Sequence, residues 1–369
     1  MSGSGCSFRL LTSDMRAEAA AYYARPGISA CHCAYITAAI YTCIQSKHRR
    51  HYKERQRSKG RRLRSNVREV CPKEVSSGRQ RQTFMLRAMA AQLVHLPEVE
   101  RISPRIIRIL GGNPGKYQLQ GTNTYLVGTG PSRILIDSGE GKPSWPQALK
   151  RVLSDENVNI DQAILTHWHH DHVSGVSDLL SLNPSTKVYK SQIVPSENQL
   201  DITHDQVFKT QGATLRAFHS PGHTTDHMAL VLEEEDAMFT GDNVLGQGTA
   251  VFEDLKAYMD SLERMQGAFS GRAYPGHGPV IDDGKAKVRE YISHRKQRED
   301  QIVGVLKEAN EDGDGWGSMQ IVKVIYKDYP EHLHLPAEGS VVQVLKKMEQ
   351  EGRVQKDGEK WKLTTKAAL

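Results

Sequence analysis

The chain reads as a layered α/β protein with a small helix–helix–hairpin module at its C-terminal end. Three observations predict this. Short β-branched and apolar runs bounded by Gly and Pro recur along the middle of the chain, the pattern of buried strands ending in loops. Longer stretches of helical character separate them. Finally, each potential metal-ligating residue comes just after one of the apolar runs, the usual arrangement when a layered scaffold presents its chemistry at strand ends.

In chain order, Ile106-Ile107-Arg108-Ile109-Leu110 is the first strand-like run, Thr122 to Val127 the second and Arg133 to Asp137 the third. Their spacing predicts consecutive hairpins. Gly111-Gly112-Asn113-Pro114-Gly115-Lys116 between the first two does not qualify as a phosphate loop. Leu110 stands where the first glycine should be, and Tyr117 where Ser or Thr is needed. Helices are expected at Trp145 to Leu153, Val173 to Leu182, Leu255 to Met265 and Lys285 to Gln301. Between them, Ala163-Ile164-Leu165 leads into His167, Leu215-Arg216-Ala217-Phe218 into His223, Ala237-Met238-Phe239 into Asp242, and Arg272-Ala273-Tyr274 into His277. Beyond Gly317, Met319 to Tyr326 and Ser340 to Glu351 read as helices. Gly352-Arg353-Val354 and Trp361-Lys362-Leu363 read as strands around an Asp357-Gly358 turn. This outline is winged-helix-like. Glu349, Glu351, Asp357 and Glu359 dilute any basic face, so the module is expected to pack rather than to bind nucleic acid.

Charge divides the chain sharply. Residues 1–93 hold 18 Lys and Arg against 5 Asp and Glu, leaving 31 against 38 for the rest. Residues 47–68 alone contain eleven basic residues and one Glu, a run able to bind nucleic acid or anionic lipid. All five cysteines (Cys6, Cys31, Cys33, Cys43, Cys71) lie in the same segment. The remainder therefore has neither disulfides nor thiolate ligands, which fits a reducing compartment. Residues 1–93 read as a basic extension, either a disordered, solvated tail or a stretch upstream of a start at Met85 or Met89. Residues 94–316 read as the catalytic domain and residues 317–369 as the winged-helix-like module. The uncharged stretch 28–45 is too short and too polar for a membrane span, and no stable membrane partner is expected. A cytoplasmic protein is the expectation, with an Arg-rich mitochondrial presequence as the alternative.

The chemistry concentrates in Thr166-His167-Trp168-His169-His170-Asp171-His172, a His-x-His-x-Asp-His pattern, followed by Pro-Gly-His at His223, Gly-Asp at Asp242 and Pro-Gly-His at His277. Imidazole and carboxylate suit zinc, iron and manganese. His167, His169 and His223 can serve one metal; Asp171, His172 and His277 can serve a second; Asp242 has two oxygens and can bridge. A structural site would not need so many dispersed loops. Two metals about 3.5–4 Å apart can share a hydroxide and clamp a substrate oxygen, so the reaction class is hydrolysis of an ester, thioester, amide or phosphodiester, with Asp171 able to orient the nucleophile. His170 is out of phase with the motif and is expected at the solvent or substrate mouth. His227 precedes a strand-like run and is expected to be structural. Asp137, in Asp137-Ser138-Gly139, is either a turn residue or the hydrogen-bond partner that fixes a ligand histidine's tautomer.

This motif set resembles the metallo-β-lactamase superfamily over roughly residues 99–369. The resemblance implies a four-layered αβ/βα sandwich with a binuclear, usually zinc, site (two Zn²⁺ per chain) on His167, His169, Asp171, His172, His223, Asp242 and His277. Asp137 matches the superfamily's early Asp-x-Gly position. Gln120 to Gly130, Gly248 to Leu255 and the winged-helix-like end are similar to the lactamase-beta-2-like subgroup. That subgroup contains animal mitochondrial single-strand endoribonucleases and fungal lactamase-like thioesterases of the atrochrysone type, which release aromatic polyketides from carrier proteins. Phe239 to Gly246 looks more like the fungal branch; the N-terminal extension matches neither. The resemblance thus implies a thioesterase acting on a polyketide held by an acyl carrier protein, in secondary metabolism. The alternative is a metal-dependent endoribonuclease with single-stranded RNA as partner. That reaction expels a poor alkoxide leaving group and would need a proton donor such as His227 or His170.

Overall fold

Alternation at period two splits the side chains of the central strands between different apolar layers. The computed structural model describes residues 93–196, 198–310 and 315–364. The basic run and all five cysteines lie outside the described residues.

One sheet runs β1 (Val99–Ser103), β2 (Ile106–Leu110), β3 (Asn123–Val127), β4 (Ser132–Ile136), β5 (Asn159–Ile164), β6 (Lys187–Tyr189), in that order. Strands β2, β3 and β4 pair antiparallel as the expected hairpins, β1 adds an unexpected antiparallel strand beside β2, and β4–β5 and β5–β6 are parallel. The second sheet has the order β11 (Ala273–Pro275), β10 (Ala237–Gly241), β9 (Met228–Leu232), β8 (Ala213–His219), β7 (Val207–Thr210). Only β10–β11 is parallel there.

Ile106, Tyr125, Val127, Ile134 and Ile136 pack with Leu215, Ala217, Met228, Leu230, Leu232 and Phe239 in one cluster between the sheets. The intervening residues face outward into two further clusters. Ile107, Leu126 and Leu135 meet Trp145, Ala148, Leu149, Val152 and Leu153 of α1 (Ser144–Glu156), whose i, i+3, i+4, i+7, i+8 spacing makes one apolar stripe. Leu179 of α3 (Val176–Leu182) joins them. On the other side Phe218, Ala229, Val231 and Met238 meet α4 (Leu255–Met265) and α5 (Gly284–Lys307). Helix, sheet, sheet, helix is the expected four-layer sandwich. Asp254 and Asp283 start α4 and α5 as N-caps, each accepting a backbone N–H at 2.8 Å.

Three helices depart from the sequence expectation. The stretch expected as one helix from Val173 to Leu182 is two, α2 (His170–Val173) and α3. At the break a Cβ on Gly175 would stand 1.9 Å from the Ser138 carbonyl oxygen, so the chain can pass this close only without a side chain. Helix α5 continues six residues beyond Gln301, because Ile302, Val305 and Leu306 keep burying a face.

The third departure is in the C-terminal elements, which are α6 (Ser318–Ile325), α7 (His334–Gln350) and a small sheet of β12 (Trp316–Gly317), β14 (Lys360–Leu363) and β13 (Val354–Asp357). Helix α7 starts six residues before the expected Ser340, since Pro336 falls in its first turn, where proline is tolerated. Ile321, Val322, Val341, Val344, Leu345, Met348 and Trp361 belong to the same apolar cluster as α4 and α5. The core of the module is therefore continuous with the outer helical layer of the sandwich.

Candidate metal centre

The parallel pairs β4–β5 and β10–β11 bring several strand C-termini to one edge. Hydrogen bonds close the two sheets on each other there. The Asn123 N–H donates to the Gly276 carbonyl at 2.8 Å and the Met228 N–H to the Thr166 carbonyl at 2.7 Å. The Asn123 amide reaches the Pro275 and Gly278 carbonyls at 2.9 and 2.8 Å, and Tyr125 Oη the Pro275 carbonyl at 2.7 Å.

All seven candidate residues meet at this edge. His167 and His169 follow β5, Asp171 and His172 lie in α2, His223 follows β8, Asp242 follows β10 and His277 follows β11. Six are buried and His169 is half-buried. Two groups form, His167/His169/His223/Asp242 and Asp171/His172/His277, with ligand atoms in each within 4.8 Å of one another. His169 Nδ1 lies 2.9 Å from His167 Nε2 and 3.0 Å from His223 Nε2. In the second group His277 Nε2 lies 3.3 Å from His172 Nε2, from Asp171 Oδ2 and from Asp242 Oδ2. Asp242 spans the groups: its Oδ2 is 3.7 Å from His223 Nε2, and its Oδ1 is 3.6 Å from His172 Nε2. Even glycine placement follows from the crowding, because a Cβ on Gly276 would stand 2.3 Å from Asp242 Oδ1.

The outward nitrogens set the tautomers. A carbonyl can only accept, so Nδ1 of His223, 2.8 Å from the Val251 carbonyl, carries its proton and leaves a lone pair on Nε2. Thr166 Oγ1 donates to Asp137 Oδ2 at 3.0 Å and therefore accepts from His167 Nδ1 at 2.9 Å. His172 Nδ1 donates to Asp137 Oδ2 at 2.8 Å. Asp137 thus orients His172 directly and His167 through Thr166, and its Oδ1 takes the Thr166 N–H at 2.8 Å. It does so from a left-handed backbone conformation (φ 59) that Asp tolerates. Of the two readings the sequence left open for Asp137, the hydrogen-bond partner is the one the structure supports; the turn begins two residues later, at Gly139. Thr166 escaped sequence reasoning, although its place directly before His167 was a signal.

Electrostatics separate the two groups. Burial lowers the pKa of His167, His169 and His223, that of His169 to about 3, so their nitrogens present lone pairs. At His172 and His277 burial also opposes charge, but the carboxylates outweigh it. Asp137, Asp242 and Asp171 hold His172 well above the usual range, and Asp242 with Asp171 pushes His277 up to about 9. Burial would raise Asp242 and Asp171, yet the neighbouring histidines hold both below the usual carboxylate range.

A cation fits this arrangement. One proton on His169 Nδ1 can satisfy only one of the two imidazole nitrogens facing it, whereas a cation satisfies all three. Asp242 Oδ1 is buried without a hydrogen-bond partner, an unpaired acceptor that a cation would relieve. Tetrahedral bonds of about 2.0–2.1 Å place ligand atoms roughly 3.4 Å apart, close to the spacings found. The donor set, all N and O, is that of a divalent-metal site.

Other motif residues stay outside the cluster. His170 is exposed. His227 is fully buried, with Nδ1 2.9 Å from Ser220 Oγ and Nε2 accepting the Asp242 N–H at 3.1 Å. Burial, first, keeps its pKa well below the ordinary value. Trp168 is partly exposed and packs edge-on against His169, ring centroids 4.6 Å apart. The buried Lys190 was not anticipated: its Nζ bonds Asp226 Oδ2 at 2.9 Å and the Ser191 and Val194 carbonyls, tying the loop after β6 to the one that carries His223. No helix among the described residues is long and apolar enough to cross a membrane.

Comparison with known proteins is consistent with this geometry. Residues 118–196 and 182–277 match the family described as the metallo-beta-lactamase superfamily, and residues 317–361 match the beta-lactamase associated winged helix domain. The chain is 46% identical over 266 residues to the lactamase-like protein aptB of Emericella nidulans, covering 70% of this chain and 85% of that protein. It is 49% identical over 242 residues to an atrochrysone carboxyl ACP thioesterase of Aspergillus chevalieri, covering 65% and 78%. A beta-lactamase domain protein from Burkholderia ambifaria shares the fold, with TM-score 0.61 at 14% identity over 74% of this chain and 96% of that one.

Proposed function

Since the chain belongs to the metallo-beta-lactamase superfamily and is a metal-dependent hydrolase, we propose that it is a thioesterase that releases a polyketide acyl group from an acyl carrier protein. Two zinc ions are its cofactors on this reading, one on His167, His169 and His223 and one on Asp171, His172 and His277, with Asp242 between them. Residues 94–316 carry the chemistry, and residues 317–369 form the winged-helix module. The relative named an acyl carrier protein thioesterase, at 49% identity, supports the substrate class.

The observation that carries the choice of reaction is the state of His227. Cleaving a phosphodiester expels an alkoxide and calls for a placed acid. Both nitrogens of His227 are already committed, and Nε2 accepts a backbone N–H, so it has no proton to give there. A thiolate leaves without such help. Bound zinc supplies Lewis acidity toward an acyl carbonyl and lowers the pKa of water to about 7. Asp171, held ionised beside His277, orients the attacking water. Gln118 steadies that carboxylate by donating to the same oxygen, Nε2 to Oδ2 at 3.2 Å. Asp137 and Thr166 keep His172 and His167 in one tautomer throughout.

The test is to incubate the zinc-loaded protein with an acyl group on a carrier-protein phosphopantetheine and, separately, with single-stranded RNA, with and without chelator. Chelator-sensitive thioester hydrolysis that exceeds RNA cleavage is expected. Only cleaved RNA counts, because the basic run at 47–68 is able to bind RNA without cutting it. Metal-dependent RNA cleavage with no thioester turnover would overturn the proposal.

A further inference from the structure

We propose that Arg295, on the outer helix α5, is a positioning residue for His223. It acts by holding the backbone segment whose carbonyl orients the imidazole.

The segment from Gly246 to Asp254 has no regular secondary structure, so no ladder fixes where its carbonyls point. It is held from outside instead. Tyr291 Oη accepts the Leu245 N–H at 3.2 Å and donates to the Gly248 carbonyl at 2.9 Å. The Gly246 N–H donates to the His277 carbonyl at 2.9 Å, and the Glu253 N–H to the Gly222 carbonyl at 2.7 Å. Between these anchors lies Val251, whose carbonyl takes the His223 Nδ1 proton at 2.8 Å. Its two neighbours are both gripped by Arg295. The guanidinium donates from Nη2 to the Ala250 carbonyl at 3.0 Å and lies over the Phe252 ring, 4.8 Å from the centroid. It also lies 6.0 Å from the ring of Tyr258, the residue against which Gly222, next to His223, packs.

One planar cation thus fixes the residues on either side of the carbonyl that sets a ligand's tautomer. Such outer partners govern metal affinity as well as geometry. Lysine could keep a charge over Phe252 but lacks the planar fork, so it should replace arginine only in part. The same helix is fastened to the C-terminal module one turn further on. There the Arg298 guanidinium lies 4.6 Å from the Tyr326 ring centroid, and Glu299 pairs with Lys347 at 2.7 Å.

This inference rests on His223 being a metal ligand, so the experiment includes His223→Ala. Full-length zinc-loaded protein is titrated with a chelator, and the cobalt(II)-substituted form is followed by visible absorption. Arg295→Met should release one metal equivalent at a chelator concentration lower by about ten-fold or more, with a changed cobalt spectrum and unchanged secondary structure. Arg295→Lys should lie between it and the wild type. Lys296→Met, at the next position of α5, which removes an ion pair to Glu263 of α4, should match the wild type. A folded Arg295→Met with the wild-type chelator curve and cobalt spectrum overturns the proposal. If that variant does not fold, wild-type curves for both Arg295→Lys and Arg295→Gln overturn it equally. Unchanged metal content in His223→Ala would instead sink the ligand assignment, which separates the two failures.

Discussion

The loops at the strand ends and the C-terminal module are both held to the sandwich, by opposite means. At the loops, polar groups hold one another: Asp137 accepts from His172 Nδ1 and Thr166 Oγ1, while Thr166, Val251 and Gln118 each hold one atom of a candidate ligand. At the module, apolar side chains merge with the layer of α4 and α5, and ion pairs lie around the rim. Hydrogen bonds are directional and costly to leave unmade when buried, so the first region demands particular atoms. Apolar packing is non-directional and tolerates substitutions of similar volume. Metal affinity should therefore respond to the loops, and stability to the module.

The largest effect should come from Asp242→Ala, which removes the carboxylate lying between both groups. Elemental analysis should show close to two zinc ions per chain in the wild type and fewer than one in the variant. Turnover should fall by more than the roughly 10–100-fold expected for losing an outer partner. His170→Ala, at an exposed position, should keep both metals; equal metal loss in the two would break the comparison at its root.

Asp137→Asn should come next. The carboxylate accepts at both oxygens, Oδ2 from His172 Nδ1 and Thr166 Oγ1 and Oδ1 from the Thr166 N–H, whereas an amide has one accepting oxygen and would set its NH2 against one of these donors. A drop of about 10–100-fold in metal affinity by chelator competition, with near-normal unfolding of the chelated protein, is expected. Wild-type affinity would mean that tautomer control is not what the carboxylate provides.

Leu345→Ala in α7 should do the reverse. Leu345 is fully buried in the cluster shared by α4, α5 and the module. Its truncation should cost about 2–5 kcal/mol in denaturant unfolding and leave metal content and chelator sensitivity at 20 °C unchanged. Metal loss from the folded variant would show that the outer layer and the loops cannot be separated.

The smallest effect concerns pH. Burial opposes charge on Glu299, but hydrogen bonds from Lys347 and Arg353 outweigh it and hold its pKa below the ordinary value. A depressed folded-state pKa adds stability that is present above the unfolded value, about 4.3, and is lost as pH falls through the folded value. In chelated protein, the stability difference between wild type and Glu299→Gln should be clear at pH 6 and shrink below about pH 4.3. A difference that does not change with pH would mean that the ion pair contributes through packing alone.

Much of this protein is readable without coordinates because it depends on residue type and short-range order. The seven N and O donors, the apolar run before each of them, the hairpins at the start of the first sheet and the two C-terminal helices are local properties of the chain. The same locality explains the errors. The break between α2 and α3 depends on Ser138, a residue of the loop after β4, with α1 and β5 lying between in the chain. Strands β1, β6 and β12 are short and have no periodicity strong enough to find alone; pairing with a neighbour makes them strands.

At the site, donor identity belonged to the sequence, but the direction of each lone pair did not. An imidazole has two nitrogens, and which one faces inward is decided by what the other touches. For His172 that partner is Asp137, 35 residues away; for His223 it is Val251, 28 residues away and held in turn from α5. Asp137 reaches Thr166 and His172 through the parallel pairing of β4 with β5, and Val251 reaches His223 through the packing of α5 on the second sheet, so tertiary structure alone could assign Asp137, Thr166 and Arg295 their places around residues that the motif had already named.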